Sequence, residues 1–345
     1  MKHAATAFAL MLALCVASPL RADTPSSQIG PQTFDVERMQ WEDDRRDRAL
    51  PVKLYQPRGG GNAPVVLFSH GLGGSREAAT YLCEHWAAKG DAVVAMQHPG
   101  SDESLWNDAP PGERGARLRR AVRNPRTAID RINDVRFVLD ELERRSGLDG
   151  PPAEGVDIDL AIDIDRVAVA GHSFGAWTTL AVGGRTFHRP GGRAWRPIDP
   201  RVDALLPLSP PVPTPPANPA DSFATVRLPI MMMTGSLDDS PLTGVTAEQR
   251  RALFDLLPGE AGGAAPAYLV FLEGGDHAVF GGGQRWPGRG ARGDPDLDPL
   301  FQRIIESTST TFLDAHLRAD DHARKRLRRT DLAADTDGRA SMQHK

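Results

Sequence analysis

Cysteine is almost missing from this 345-residue chain, which has only Cys15 and Cys83. Cys15 falls in a segment that reads as a removable leader, so one thiol remains and no internal disulfide can form. Cys83 lies in the helical pattern Tyr81–Trp86 and is expected to be a small buried hydrophobe rather than a reactive thiol. An excess of basic charge is also missing. The formal net charge is −4, and without Lys2 and Arg21 of the leader it becomes more negative, which argues against a nucleic-acid partner. No apolar run is long enough to cross a bilayer, so no stable membrane insertion is expected. The run Ala4–Ala17 follows Lys2 and His3 and leads to Ser18, Pro19 and Ala22, the layout of a secretory signal peptide. Residues 1–22 are read as that leader, which implies a periplasmic or secreted protein. No internal repeat is visible.

Glycine is plentiful, with 34 residues, and its placement is informative. The run Val167-Ala168-Val169-Ala170-Gly171-His172-Ser173-Phe174-Gly175-Ala176-Trp177 reads as a buried strand, a sharp turn carrying one serine, and a helix start. Glycines two before and two after Ser173 suit a nucleophile elbow, where a side chain at either position would strike the packed strand or helix. Such a turn lifts the Ser173 hydroxyl above the sheet and aims the Phe174 N–H at an oxygen that becomes negative during acyl transfer. The G-x-S-x-G pattern alone is weakly specific, and the strand before it and helix formers after it supply the context.

An N-terminal hairpin is expected from Phe34–Trp41 and Val52–Tyr55 across the charged turn Glu42–Arg48. Further strands are read at 64–69, 92–96, 167–170, 202–208, 229–234 and 267–272, and helices between them at 77–89, 128–142, 174–182, 249–257 and 301–317. Residues 110–123 read as an exposed cap or loop, 149–165 as an acidic surface connector, and 210–219 as a stiff proline-rich loop. The methionines of Met231-Met232-Met233 are expected in the core. The alternation predicts a single α/β domain over 23–317, with a mostly parallel sheet, helices on both faces and the antiparallel hairpin at its start. Residues 318–345, with their cluster of arginines, are expected to fray into a charged, flexible tail.

Three groups with complementary chemistry stand at strand exits: Ser173, the pair Asp238-Asp239, and His277. Residues at the carboxyl ends of parallel strands converge on one crevice. A serine needs a base to become a nucleophile. His277 is read as that base, and a carboxylate as the group that orients its imidazole. The position of Asp238 three residues after Gly235 favours it over Asp239, and Asp276 is expected to shape the turn before His277. The loop His70-Gly71-Leu72-Gly73-Gly74-Ser75 follows an apolar strand, and Leu72 N–H is proposed as a second oxyanion donor beside Phe174 N–H. That loop has neither the dinucleotide nor the P-loop glycine pattern, so no nucleotide cofactor is expected. His98, after the strand 92–96, competes for a catalytic role but is expected to hydrogen-bond loop backbone. His70, His98, Trp106 and Trp177 are candidates to line the pocket. No metal pattern is found, since the acidic stretch 149–165 lacks the glycine and terminal glutamate of a calcium loop.

Together His70-Gly71-Leu72-Gly73, Gly171-His172-Ser173-Phe174-Gly175 and Gly275-Asp276-His277 resemble the dienelactone-hydrolase-like and platelet-activating-factor-acetylhydrolase-like branch of the α/β-hydrolase superfamily. Bacterial cutinase-like polyester hydrolases are a neighbouring branch. The likeness runs from about Phe34 to Leu317. It implies a serine carboxylic-ester hydrolase acting on small ester molecules through an acyl-enzyme, with no metal or other cofactor, and with Leu72 and Phe174 as oxyanion donors. Dienelactone hydrolases carry a cysteine where this chain has Ser173, and the C-terminal disulfide usual in cutinase-like enzymes has no counterpart here. A serine peptidase of the same fold would ordinarily add a large substrate-binding domain. A non-catalytic binding scaffold would be expected to lack one of the three groups.

Overall fold

The computed structural model describes residues 33–59, 61–107, 109–146, 160–188, 193–213, 218–240, 243–283 and 292–345. The leader read at 1–22 lies outside the described residues, as do most of the acidic stretch and the centre of the proline-rich loop.

Strands β1 (Phe34–Asp43) and β2 (Arg48–Pro57) form the expected hairpin, pairing from Phe34↔Pro57 to Asp43↔Arg48. Then come β3 (Ala63–Ser69), α1 (Thr80–Ala88), β4 (Ala92–Met96), α2 (Ser104–Asn107), α3 (Pro111–Arg123) and α4 (Pro125–Arg145). Strand β5 (Ile162–His172) leads into α5 (Phe174–Val182), and a two-stranded flap, β6 (Phe187–His188) with β7 (Ala194–Trp195), precedes β8 (Ala204–Leu208). The chain continues through α6 (Pro219–Phe223), β9 (Ile230–Leu237), α7 (Ala247–Arg251) and β10 (Ala267–Asp276). It closes with α8 (Asp298–Leu317), α9 (Asp321–Arg329), α10 (Leu332–Asp335) and β11 (Ala340–His344).

The main sheet has nine strands in the order β1-β2-β4-β3-β5-β8-β9-β10-β11. The strands from β4 to β10 are mutually parallel, while the hairpin on one edge and β11 on the other run antiparallel. Parallel strands buried on both faces are predominantly apolar, and β4, β8 and, up to its last residue Ser69, β3 are unbroken apolar runs. Side chains alternate between two cores. Val66, Phe68, Met231 and Met233 join α1, α8 and α9 on one face, and Val65, Leu67, Ile230 and Met232 join α4, α5 and the turn Leu253–Leu257 on the other. The three methionines are therefore packed core. Cys83 is fully buried in the first of these cores, and burial raises its thiol pKa to about 12.

Three readings are corrected. Residues 318–345 do not fray. Ala323 and Leu327, four apart on α9, are buried beneath the arginines, and Asp320 caps the helix by accepting from His322 and Ala323 N–H. The final residues then pair with β10 from Leu272↔Ala340 to Tyr268↔His344. The density of charge masked an apolar stripe of two residues, and only the open edge of β10 makes the last strand favourable. Residues 111–123 form a helix, with Leu118 inward and most arginines outward. The end of the acidic stretch, from Ile162, already belongs to β5. Among the described residues no helix is long and apolar enough to cross a membrane.

Candidate active site

Four adjacent strands, β5, β8, β9 and β10, end at the same edge of the sheet, and each delivers one polar residue just beyond its last position. They deliver Ser173, Ser209, Asp238 and His277 in that order. Ser173 sits between β5 and α5 at φ 56°, ψ −112°, a conformation that non-glycine residues rarely adopt. The two flanking glycines permit it. A Cβ on Gly171 would lie 2.6 Å from the Gly175 carbonyl oxygen, and one on Gly175 would lie 2.6 Å from the Ser69 carbonyl carbon. Helix, turn and two strands thus meet at backbone contact, as the spacing predicted.

His277 Nε2 is 3.0 Å from Ser173 Oγ, and its Nδ1 is 2.7 Å from Asp238 Oδ1. An N–H at Nδ1 facing the carboxylate leaves Nε2 as the acceptor for the Ser173 proton. Asp238 is completely buried. Its Oδ1 also accepts from Ser209 Oγ at 2.8 Å, and its Oδ2 accepts from Thr234 Oγ1 at 2.8 Å. Burial pushes the carboxyl pKa up, but the Arg250 cation, His277 and Thr234 outweigh it, and the net pKa is lowered. Arg250 is itself buried and donates to the carbonyls of Asp238, Ser209 and Pro210, which ties the acid loop to the end of β8. Asp239 points elsewhere. It accepts from Ala247 N–H and pairs with Arg292 at 2.8 Å. Asp276 accepts from the N–H groups of Ala278, Val279 and Gly293, which shapes the turn carrying His277.

Ser209 was missed in the sequence. Its hydroxyl lies 2.7 Å from His277 Nδ1 as well as bonding Asp238, and its backbone is held at φ 52°. The only available signal was its place at the end of a strand between those of Ser173 and Asp238. His172 was also passed over. Its Nε2 lies 3.0 Å from the His277 carbonyl, and burial holds it neutral with a pKa of about 3.

The glycine loop after β3 lies against the serine turn, since a Cβ on Gly71 would be 3.5 Å from Ser173 Cβ. It is pinned by Gly73 N–H to Ser101 O at 2.8 Å and by Trp106 Nε1–H to Gly73 O at 2.7 Å. Neither Leu72 N–H nor Phe174 N–H donates to an acceptor among the described residues.

The lining roles expected for His70 and His98 do not survive, because both side chains are fully buried. His70 Nε2 accepts from His98 N–H at 3.0 Å, and its Nδ1 lies 2.6 Å from Gly71 O. The His98 ring does not bond loop backbone. Its Nε2 meets Ser69 Oγ and its Nδ1 meets Asp134 Oδ2, each at 2.9 Å. This is a second Ser-His-Asp relay, with the geometry of the first but no access to a ligand. Burial, with Arg131 adding to it, lowers the His98 pKa to about 4. Trp106 is half-buried over the glycine loop. Half-buried Trp177, one turn into α5, packs at a tilt between Phe174 and Phe187. Among the described residues no cluster of three or more His, Cys, Asp or Glu side chains is placed to hold a metal.

Comparison with known proteins agrees with this architecture. A family model described as platelet-activating factor acetylhydrolase, isoform II, matches residues 47–107, which include the glycine loop but not Ser173. A putative phospholipase A2 of Schizosaccharomyces pombe is 28% identical over 172 residues, 39% of this chain and 39% of that protein. The platelet-activating factor acetylhydrolase of Cavia porcellus is 31% identical over 153 residues, 38% of this chain and 34% of that protein. The matches therefore span less than half the length of either curated relative. A solved ferulic acid esterase from Streptomyces cinnamoneus superposes with a TM-score of 0.55 at 19% identity, covering 86% of this chain and 93% of that one. A mostly parallel sheet, an antiparallel hairpin at its start and this structural likeness show that the chain has an α/β-hydrolase fold.

Proposed function

We propose that the protein hydrolyses carboxylic esters through an acyl-enzyme on Ser173. The observation that carries the reading is His277, which bridges Ser173 Oγ at 3.0 Å and buried Asp238 at 2.7 Å. His277 takes the hydroxyl proton as Ser173 attacks the ester carbonyl, then returns it to the leaving alcohol. Asp238 holds the imidazole in the tautomer that can accept this proton and stabilises its charged form. The oxyanion is received by Leu72 N–H and Phe174 N–H, which have no other acceptor among the described residues. Water, activated by the same histidine, then releases the acid.

The substrate class is a small to medium acyl ester, in keeping with relatives named as an acetylhydrolase, a phospholipase and an esterase. The leader-like residues 1–22 support a place outside the cytoplasm. The test is hydrolysis of p-nitrophenyl acetate, butyrate, octanoate and palmitate by the wild type beside Ser173→Ala. Activity that the substitution abolishes is expected, with a chain-length preference that defines the acyl pocket. Turnover surviving in Ser173→Ala, or none in well-folded wild type, would overturn the reading.

A further inference from the structure

Among the described residues the ester-hydrolysis reading leaves the buried cations Arg131 and Arg185 without a task, and Arg131 is the one that touches the glycine loop. Arg131 lies on the inner face of α4 and is 0% exposed. It forms no ion pair with a carboxylate among the described residues. Asp134, one turn further on, is taken by Arg46 at 2.8 Å, Arg48 at 2.8 Å and His98 at 2.9 Å. Burial draws the Arg131 pKa down to about 9, which leaves the guanidinium charged at neutral pH. A buried cation without a direct counter-ion is costly, and a fold tolerates it where the surrounding groups need it.

Those groups are the two halves of the proposed oxyanion pocket. Nη1 donates to His70 O at 2.7 Å and to Ser69 Oγ at 3.3 Å, and Nε donates to Ser101 Oγ at 2.8 Å. His70 O belongs to the peptide that opens the glycine loop, two residues before Leu72. Ser101 carries the carbonyl that anchors Gly73. The guanidinium carbon lies over the Phe174 ring, 4.3 Å from its centre. One side chain is thus fixed to the loop that presents Leu72 N–H and to the residue that presents Phe174 N–H.

We propose that Arg131 is a positioning residue of the oxyanion pocket: its fork sets the glycine loop against the serine turn, and its buried charge favours the anion that forms between them. The proposal rests on the ester-hydrolysis reading. Its role falls on the transition state, because the neutral ester carbonyl draws little on the charge or on the alignment of the two N–H groups.

The experiment compares wild type, Arg131→Lys and Arg131→Met, using p-nitrophenyl butyrate and concentrations corrected by active-site titration. The expected order of kcat is Arg, then Lys about tenfold lower, then Met about a hundredfold lower, with KM within about threefold of wild type. Inhibition by phenylboronic acid, whose serine adduct is a tetrahedral anion, should weaken in step with kcat/KM. A purely structural arginine would lower the melting temperature and the titrated fraction but leave kcat per active site unchanged, and that result overturns the proposal. If Arg131→Met does not fold, Arg131→Lys decides, because wild-type kcat in that variant overturns it equally. Wild type without Ser173-dependent esterase activity would remove the underlying reading itself, an outcome visible before any arginine variant is measured.

Discussion

Replacing Asp238 by asparagine changes one atom in the centre of the site, and the structure sets the size of the effect. The carboxylate is fully buried and accepts from His277 Nδ1 and Ser209 on one oxygen and from Thr234 on the other. An amide has one acceptor oxygen and one donor nitrogen. With its oxygen toward His277, the imidazole stays aligned but loses the charge that stabilises its protonated form. With its nitrogen toward His277, the ring is driven to the other tautomer and Nε2 no longer accepts from Ser173. Both orientations remove transition-state stabilisation, by about 10³–10⁴ in kcat, or about 4–5.5 kcal/mol. Arg250, 3.4 Å from Oδ1, would also lose its counter-ion but keep its carbonyl acceptors, at a stability cost of about 3 kcal/mol. The assay is p-nitrophenyl butyrate hydrolysis well below the melting temperature, with folded protein verified by circular dichroism. Asp239→Asn is the paired control. It loses only a half-exposed ion pair with Arg292, and its kcat should stay within about threefold of wild type. Asp238→Asn retaining more than a tenth of wild-type kcat, or Asp239→Asn matching its loss, would refute the assignment of the acid.

Two further outcomes are expected. Gly175→Ala would place a methyl against the Ser69 carbonyl, with its carbon only 2.6 Å away, so α5 or the end of β3 must shift by about 1 Å; kcat/KM should fall about 10²-fold or more, and wild-type kinetics in a folded variant would show that the turn is not so tightly packed. Asp91 is buried before β4, and its Oδ1 lies 2.7 Å from Arg318, but without hydrogen-bond geometry. Burial outweighs the arginine and raises the Asp91 pKa to about 6. The folded protein therefore keeps this proton at pH values where the unfolded chain has lost it. Its contribution to stability falls as pH climbs from about 4 to 6, and the penalty, on the order of 3 kcal/mol, persists above that range. Asp91→Asn should escape it, so its unfolding free energy relative to wild type should rise between pH 4 and pH 7; a difference independent of pH would contradict the linkage.

Much of this molecule follows from local rules. The turn at Ser173 was readable because only glycine fits where backbone meets backbone. The parallel strands were readable because burial on both faces demands unbroken apolar runs. The hairpin and most helices followed from alternation and helical spacing. The C-terminal segment was misread because its arginines are conspicuous and its buried residues, Ala323 and Leu327, are few. Its last strand depends on an edge of β10 that the segment does not itself encode.

The sequence by itself determined which residues stand at strand ends, and so offered Ser173, Asp238 or Asp239, and His277 as partners. Only the tertiary structure decided among carboxylates and among histidines. Asp238 faces inward because Arg250, Thr234 and Ser209 converge on it, and these lie on separate elements of the chain. His98 has a serine and an aspartate at the same distances as a working base would, yet it is sealed. Hydrogen-bonding capacity is written in residue type. Access to solvent and the sum of buried charges arise only when distant segments pack together.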